Sequence, residues 1–189
     1  MKRIILASTS PRRKEIFSKT KLPFEVKESN YEEDMTLAMP PIELVKYLAY
    51  NKAKAVADIN KDAIVIAADT FVVYNNNFLG KPKTEKEAKE MLMMLSGKEH
   101  EIVTGVAIIE NDHSVSFCEM VKVFMEDMSS ESIDKYIATG EPKDKAGAYA
   151  MQEIGAIFIK KIDGDFYTAM GLPLKRLVEE LKVFGINVL

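Results

Sequence analysis

The feature that most restricts the fold of this chain is a pair of long β-rich runs, Glu101 to Glu110 and Ser114 to Glu126, separated only by Asn111-Asp112-His113. So short a connection joins antiparallel strands, because a parallel pair needs a crossover of a dozen or more residues. A simple doubly wound parallel sheet does not accommodate such a pair. Yet strand and helix signals alternate on either side of it, so the expected class is α/β with a mixed sheet flanked by helices.

Arg3 to Ala7 reads as a short buried strand and is followed by Ser8-Thr9-Ser10-Pro11, where Ser10 can cap a helix running to about Lys19. Phe24 to Lys27 reads as a second strand, and Ile42 to Ile59 as a helix with Val45, Leu48, Ala49, Lys52 and Val56 along one face. Ala63 to Ala68 is the clearest buried strand and is expected to end at Asp69. Thr70 to Leu79 reads as a hairpin turning at Asn75-Asn76-Asn77, and Thr84 with Glu87 forms a capping box for a helix to Leu95, stopped by Ser96-Gly97. Ser130 to Thr139 is a helix closed by Gly140. Ala156 to Ile162 and Asp165 to Thr168 flank a turn at Asp163-Gly164, and a last helix opens at Pro173 and ends at Gly185.

The 189 residues suffice for one domain, residues 1–189, or for two small lobes sharing a core. A net charge of −3 argues against binding polymeric nucleic acid, which leaves a basic footprint. The N-terminal apolar run is too short for a secretory signal and no run approaches a membrane helix, so a cytoplasmic location and no membrane partner are expected. The single cysteine, Cys118, reads as a buried structural thiol, His100 and His113 as surface or strand-packing side chains, and the eleven methionines, including Met91, Met93 and Met94, as core filler.

Several segments could carry chemistry. Ser8 and Ser10, with Arg12 and Arg13, lie between a strand end and a helix start, where free N–H groups, hydroxyls and guanidinium forks suit a phosphate. A capped surface helix with solvated arginines has the same pattern. Asp69, at the end of a wholly apolar strand, could ligate Mg²⁺, accept a proton from water, or simply cap a turn. Glu32, Glu33 and Asp34 could complete a hard-oxygen site if their loop folds back to Asp69; otherwise they are a solvated loop. Gly80-Lys81-Pro82 is not a P-loop, lacking both the upstream glycine and a following Ser or Thr. Lys81 and Lys52 read equally as cleft lysines or as surface and snorkelling ones. In residues 141–152, alternating charges run into small residues and end in the amide of Gln152, which could pair with a base edge.

In order, LASTSPRRKEIF, LAYNKAKAVAD, AADT, LGKPKTEKEAKEML, LSGKEHEIVTGVAI, EPKDKAGAYAMQ and KKIDGDFYTAMGLPL resemble the Maf family of nucleotide pyrophosphatases from Leu6 to about Leu174. The resemblance implies a two-lobed α/β fold like that of inosine triphosphate pyrophosphatases, with the nucleotide in the cleft between lobes. It implies cleavage between the α- and β-phosphates assisted by Mg²⁺, Mn²⁺ or a similar ion. Asp69 matches the proton acceptor; Arg13, Lys52, Lys81 and Lys145 match phosphate-cleft positions; Glu33, or its neighbour Glu32, matches the second carboxylate. Arg12, Thr70 and Gln152 match the branch similar to dTTP and UTP pyrophosphatases. Ala150 and Glu153 stand where the family usually or often has glycine. A homodimer is implied by resemblance alone. Two other readings remain: a nucleotide-binding regulator of cell division acting through a protein partner, and an inosine or xanthosine triphosphate house-cleaner.

Overall fold

The computed structural model describes residues 2–34 and 37–189. Among the described residues, seven strands form one sheet: β1 (Arg3–Leu6), β2 (Glu25–Val26), β3 (Ala63–Tyr74), β4 (Asn77–Leu79), β5 (Glu99–Glu110), β6 (His113–Met125) and β7 (Ile159–Asp163). The order is β2-β1-β3-β5-β6-β7, with β4 paired to β3 alone. β1 runs parallel to β2 and β3, whereas β5, β6 and β7 add antiparallel strands, giving the mixed sheet that the central pair requires. The α-helices of the described residues that accompany it are α1 (Pro11–Ser18), α2 (Pro41–Ala57), α3 (Glu85–Leu95), α4 (Ser130–Ala138), α5 (Phe166–Ala169) and α6 (Leu174–Leu181).

The two-residue period of β3 decides which helix meets which face. Ala63, Val65 and Ala67, then Phe71 and Val73, pack with α2 through Leu44, Val45, Leu48, Ala49, Ala53 and Val56. Ile64, Ile66, Ala68 and Val72 point the other way, into a core shared with Phe17, Leu92, Tyr136 and Leu177. The same alternation sends Asp69 toward α2 and Thr70 toward the opposite side. Opposite Asp69 stands Gly105. A Cβ there would lie 2.6 Å from the Val45 carbonyl oxygen, so the glycine is what lets the α2 backbone settle against the sheet.

Several expectations fail. The strand beginning at Ala63 does not end at Asp69: the pairs Asp69↔Gly105 and Thr70↔Thr104 continue the ladder to Tyr74. A polar side chain does not end a strand whose backbone groups still have partners. Asn75 and Asn76 then make a two-residue turn at φ 49° and 61°, and Asn77 already belongs to β4. The stretch after Gly164 is helical, because Asp165 Oδ2 accepts from both the N–H (2.7 Å) and the hydroxyl (2.9 Å) of Thr168 and so caps α5.

Met91 is core, but Met93 and Met94 are exposed on the outer face of α3, and Met1 and Met35 lie outside the described residues. Cys118 is half-buried, its thiol pushed up to about 11 by burial, as suits a structural residue. No described helix is long and apolar enough to cross a membrane.

Candidate active site

Lys52 lies two turns beyond Val45 on α2, where the helix is held against the sheet. It therefore reaches Asp69 on the face that the strand alternation presents. Its ammonium is 2.9 Å from Asp69 Oδ2 and 2.7 Å from Glu33 Oε1. The lysine and aspartate side chains are only 14% and 11% exposed, against 41% for Glu33, so the Lys52–Asp69 pair is the buried half of the triad. Asp69 Oδ1 accepts from the backbone N–H of Thr70 at 2.9 Å, which sets the plane of the carboxylate.

Around this triad opens a cleft of about 940 Å³. It is bordered by Ser8, Ser10, Arg12 and Arg13 from the β1–α1 junction, by Glu33, Lys52, Asp69 and Thr70, and by Lys81 and Lys145. Ser8 Oγ accepts from Ser10 N at 3.3 Å, and Ser10 caps α1 with a long 3.5 Å bond to Arg13 N. Pro11 has no N–H and Ser10 takes that of Arg13, so what the start of α1 presents to the cleft is chiefly two serine hydroxyls and two arginines, an arrangement suited to a phosphate. Arg13 is half-buried, and its desolvation pushes the guanidinium below the ordinary value; the charges of Asp69 and Glu33 oppose that shift and Arg12 adds to it. Lys145 sits 2.9 Å from Asp144 and 3.9 Å from Glu153.

Two sequence-predicted residues are not brought to the cleft. Glu32 is exposed and does not border it, so the acidic loop folds back through Glu33. Gln152 also does not border it. Its Oε1 is buried and, among the described residues, has no hydrogen-bond partner, although its neighbours Met151 and Glu153 reach the cleft wall. Lys83, Tyr31 and Tyr149 border the cleft without having been singled out. Lys83 could have been suspected from its two-residue spacing from Lys81; nothing local marks Tyr31 or Tyr149.

The donor set can be tested against the implied divalent cation. Among the described residues, no group of three or more His, Cys, Asp or Glu is drawn together. Asp69 and Glu33 nevertheless converge on one ammonium. Mg²⁺ typically uses one or two carboxylates, with substrate phosphates and water as its other ligands. The pair fits that requirement.

Residues 145–155 supply several cleft groups, and their backbone is held under constraint. Gly147 and Ala148 both have positive φ, 68° and 62°, and a Cβ on Gly147 would crowd the Val72 side chain at 2.9 Å. Glu141 fixes the far end: Oε1 accepts from Tyr136 Oη at 2.7 Å and Gly155 N at 3.0 Å, while Oε2 accepts from Ile154 N at 3.0 Å. Tyr136 Oη in turn accepts from Ala150 N at 3.3 Å.

His100 fixes Tyr149. Its Nε2 lies 2.7 Å from the Tyr149 hydroxyl, and the histidine is 3% exposed, a packed strand residue and no surface one. His113 instead packs on the Phe184 ring. Burial pushes the His100 imidazole down from 6.5 to about 4. Between these values the unfolded chain takes up a proton that the folded chain excludes. The contribution to stability is therefore complete above about pH 6.5 and lost as the pH falls to about 4. His100→Gln, which keeps a hydrogen-bonding group but does not titrate, should flatten the acid side of the stability curve by up to about 3 kcal/mol. Urea unfolding at pH 7 and at pH 4.5 measures it; identical pH dependence in the two proteins would show that His100 is not the responsible group.

Comparison with known proteins follows the same lines. The family model described as Maf-like protein matches residues 3–184. Proteins named dTTP/UTP pyrophosphatase from Bacillus cereus (strain AH187) and Bacillus thuringiensis subsp. konkukian (strain 97-27) are 52% and 51% identical over 188 residues, covering 100% of this chain and 98% of each relative. Among solved structures, a HAM1 protein from Coxiella burnetii has a TM-score of 0.53 at 17% identity, covering 97% of this chain and 100% of that one. The Ham1 protein of Staphylococcus aureus gives 0.50 at 18%, covering 67% and 73%. At such identities the likeness is one of fold.

Proposed function

Because the chain belongs to the Maf-like protein family, we propose that it hydrolyses nucleoside triphosphates, dTTP and UTP foremost, to the monophosphate and pyrophosphate. The observation that carries this reading is the Lys52–Asp69–Glu33 triad in a cleft that also gathers Arg12, Arg13, Lys81 and Lys145. A triphosphate is a chain of anionic groups, and this cleft sets cations along its wall with a carboxylate pair among them.

In the proposed mechanism the N-terminal end of α1, through the hydroxyls of Ser8 and Ser10, receives phosphate oxygens, and the arginines and lysines balance the charge that builds as the bond breaks. Asp69, oriented by Lys52 and the Thr70 N–H, accepts a proton from the water that attacks the α-phosphorus. The bond to the β-phosphate oxygen breaks and pyrophosphate leaves. A divalent cation such as Mg²⁺ or Mn²⁺, held by Asp69 and Glu33, supplies further neutralisation of the phosphate oxygens when bound.

Base choice is assigned, on the family resemblance, to Arg12, Thr70 and Gln152. Gln152 is half-buried beside the cleft wall, with its Oε1 free to accept a hydrogen bond. Gln152→Ala should change the ranking of substrates more than the best rate, by about tenfold for the preferred base over the others. An unchanged ranking would remove Gln152 from base selection. The fold remains proposed as one domain of two lobes sharing this cleft, in a soluble cytoplasmic protein, with homodimerisation open to sedimentation measurement.

Pyrophosphate release across the canonical triphosphates, inosine triphosphate and 7-methyl-GTP, with Mg²⁺ or Mn²⁺, tests the reading. Rapid turnover of dTTP and UTP supports it. A preference for inosine triphosphate would favour the house-cleaning alternative, and binding without turnover would favour the nucleotide-binding regulator.

A further inference from the structure

Thr104 is completely buried in β5 and does not border the cleft, yet it belongs to a closed ring of hydrogen bonds that includes Arg13. Its Oγ1 lies 2.8 Å from the carbonyl oxygen of Thr168 and 3.0 Å from Thr70 Oγ1. Arg13 Nη2 lies 3.1 Å from Thr70 Oγ1, and Arg13 Nε donates to the Gly171 carbonyl at 2.9 Å. The ring closes through the Gly171 N–H, which donates to the same Thr168 carbonyl at 3.0 Å.

The direction of every bond follows from its ends. A carbonyl only accepts, so the one proton of Thr104 goes to Thr168. Thr104 must then accept from Thr70, which commits the one proton of Thr70. Arginine only donates, and it fills an acceptor position on Thr70. Gly171 completes the geometry: its φ is +101°, and a Cβ there would lie 3.1 Å from Thr70 Oγ1 and 3.3 Å from Arg13 Nε.

We propose that Thr104 is a positioning residue for the Arg13 guanidinium, acting through Thr70. Thr70 borders the cleft, but its hydroxyl proton is directed away into the sheet. A group that sets a phosphate-binding arginine acts on every triphosphate alike, whatever its base. The inference rests on the triphosphatase reading above.

Kinetics of Thr104→Val and Thr104→Ser on dTTP, UTP and GTP test it. The valine is nearly isosteric and removes the relay. It should raise KM roughly tenfold for all three nucleotides, with a smaller change in kcat and the same substrate ranking. The serine keeps the hydroxyl and should recover most of that loss, which a purely space-filling role for Thr104 would not predict. An unchanged KM in Thr104→Val, or a loss confined to one base, would overturn the proposal. Should the valine variant not fold, the wild type decides. The Thr104 hydroxyl and Arg13 Nε protons should exchange slowly with solvent by NMR, and rapid exchange of the hydroxyl would break the ring. If the wild type turns over no nucleotide, the triphosphatase reading fails by itself. Calorimetric affinity for inorganic tripolyphosphate then still reads the Thr104 effect.

Discussion

Asp69→Asn should lower turnover by about 10²–10⁴-fold while leaving the protein folded. The asparagine has the same shape, and its amide oxygen can still accept the Thr70 N–H that Asp69 Oδ1 accepts at 2.9 Å. Lys52 keeps Glu33 at 2.7 Å, so no buried ammonium is left without a counter-charge. What is lost is a carboxylate able to take a proton or to share a hard cation. Because both losses act in the transition state, kcat should fall with little change in nucleotide affinity. Pyrophosphate release, with circular dichroism and thermal unfolding as controls, measures this. A variant with full activity and an intact fold would show Asp69 to be neither base nor ligand.

Glu141→Ala should have the largest effect on stability, about 3 kcal/mol or more. The carboxylate accepts three hydrogen bonds, from Tyr136 Oη, Ile154 N and Gly155 N. Bonds to a charged acceptor contribute roughly 1.5–3 kcal/mol each, and removing the acceptor leaves buried donors at Tyr136 and Gly155 without partners. A smaller value than the sum is expected because solvent can reach Ile154. Burial raises the Tyr136 phenol far above its ordinary range, with the Glu141 bond adding to the shift, so the phenol stays protonated and donates. The same carboxylate restrains residues 145–155, where Ala148 keeps a positive φ. The variant should therefore also lose catalytic efficiency, and Glu141→Gln should fall between it and the wild type. Urea unfolding of the three proteins measures this. Equal midpoints would show that the clasp contributes nothing to stability.

Much of the fold was legible because hydrophobic period and turn chemistry are local. The short spacer between the central strands dictated antiparallel pairing, although His113 already pairs with Glu110 and only Asn111 and Asp112 form the turn; the Thr84 cap is in place, its oxygen accepting Glu87 N at 3.1 Å. Asp69 misled for a physical reason: one polar side chain in an apolar run looks like a strand end, but the ladder to β5 continues beneath it. Asp165 misled in the opposite sense, its capping role being invisible beside a turn already assigned to Asp163-Gly164.

Composition, periodicity and ordered motifs thus determined the α/β class, the mixed sheet, the family and many of the charged and hydroxyl groups that border the cleft. Only the tertiary structure decided how those residues are used. Alternation on β3 sends Asp69 and Thr70 to opposite faces, Gly105 admits α2, and Lys52 thereby joins Asp69 to Glu33. Glu33, and not Glu32, pairs with Lys52, Gln152 does not border the cleft, and Thr104 is tied to Arg13 by register and by the Thr168–Gly171 turn. Hydrophobic burial depends on residue type along the chain and can be read there. A hydrogen bond depends on distances of about 3 Å between groups far apart in sequence, and those exist only once the sheet has fixed its register.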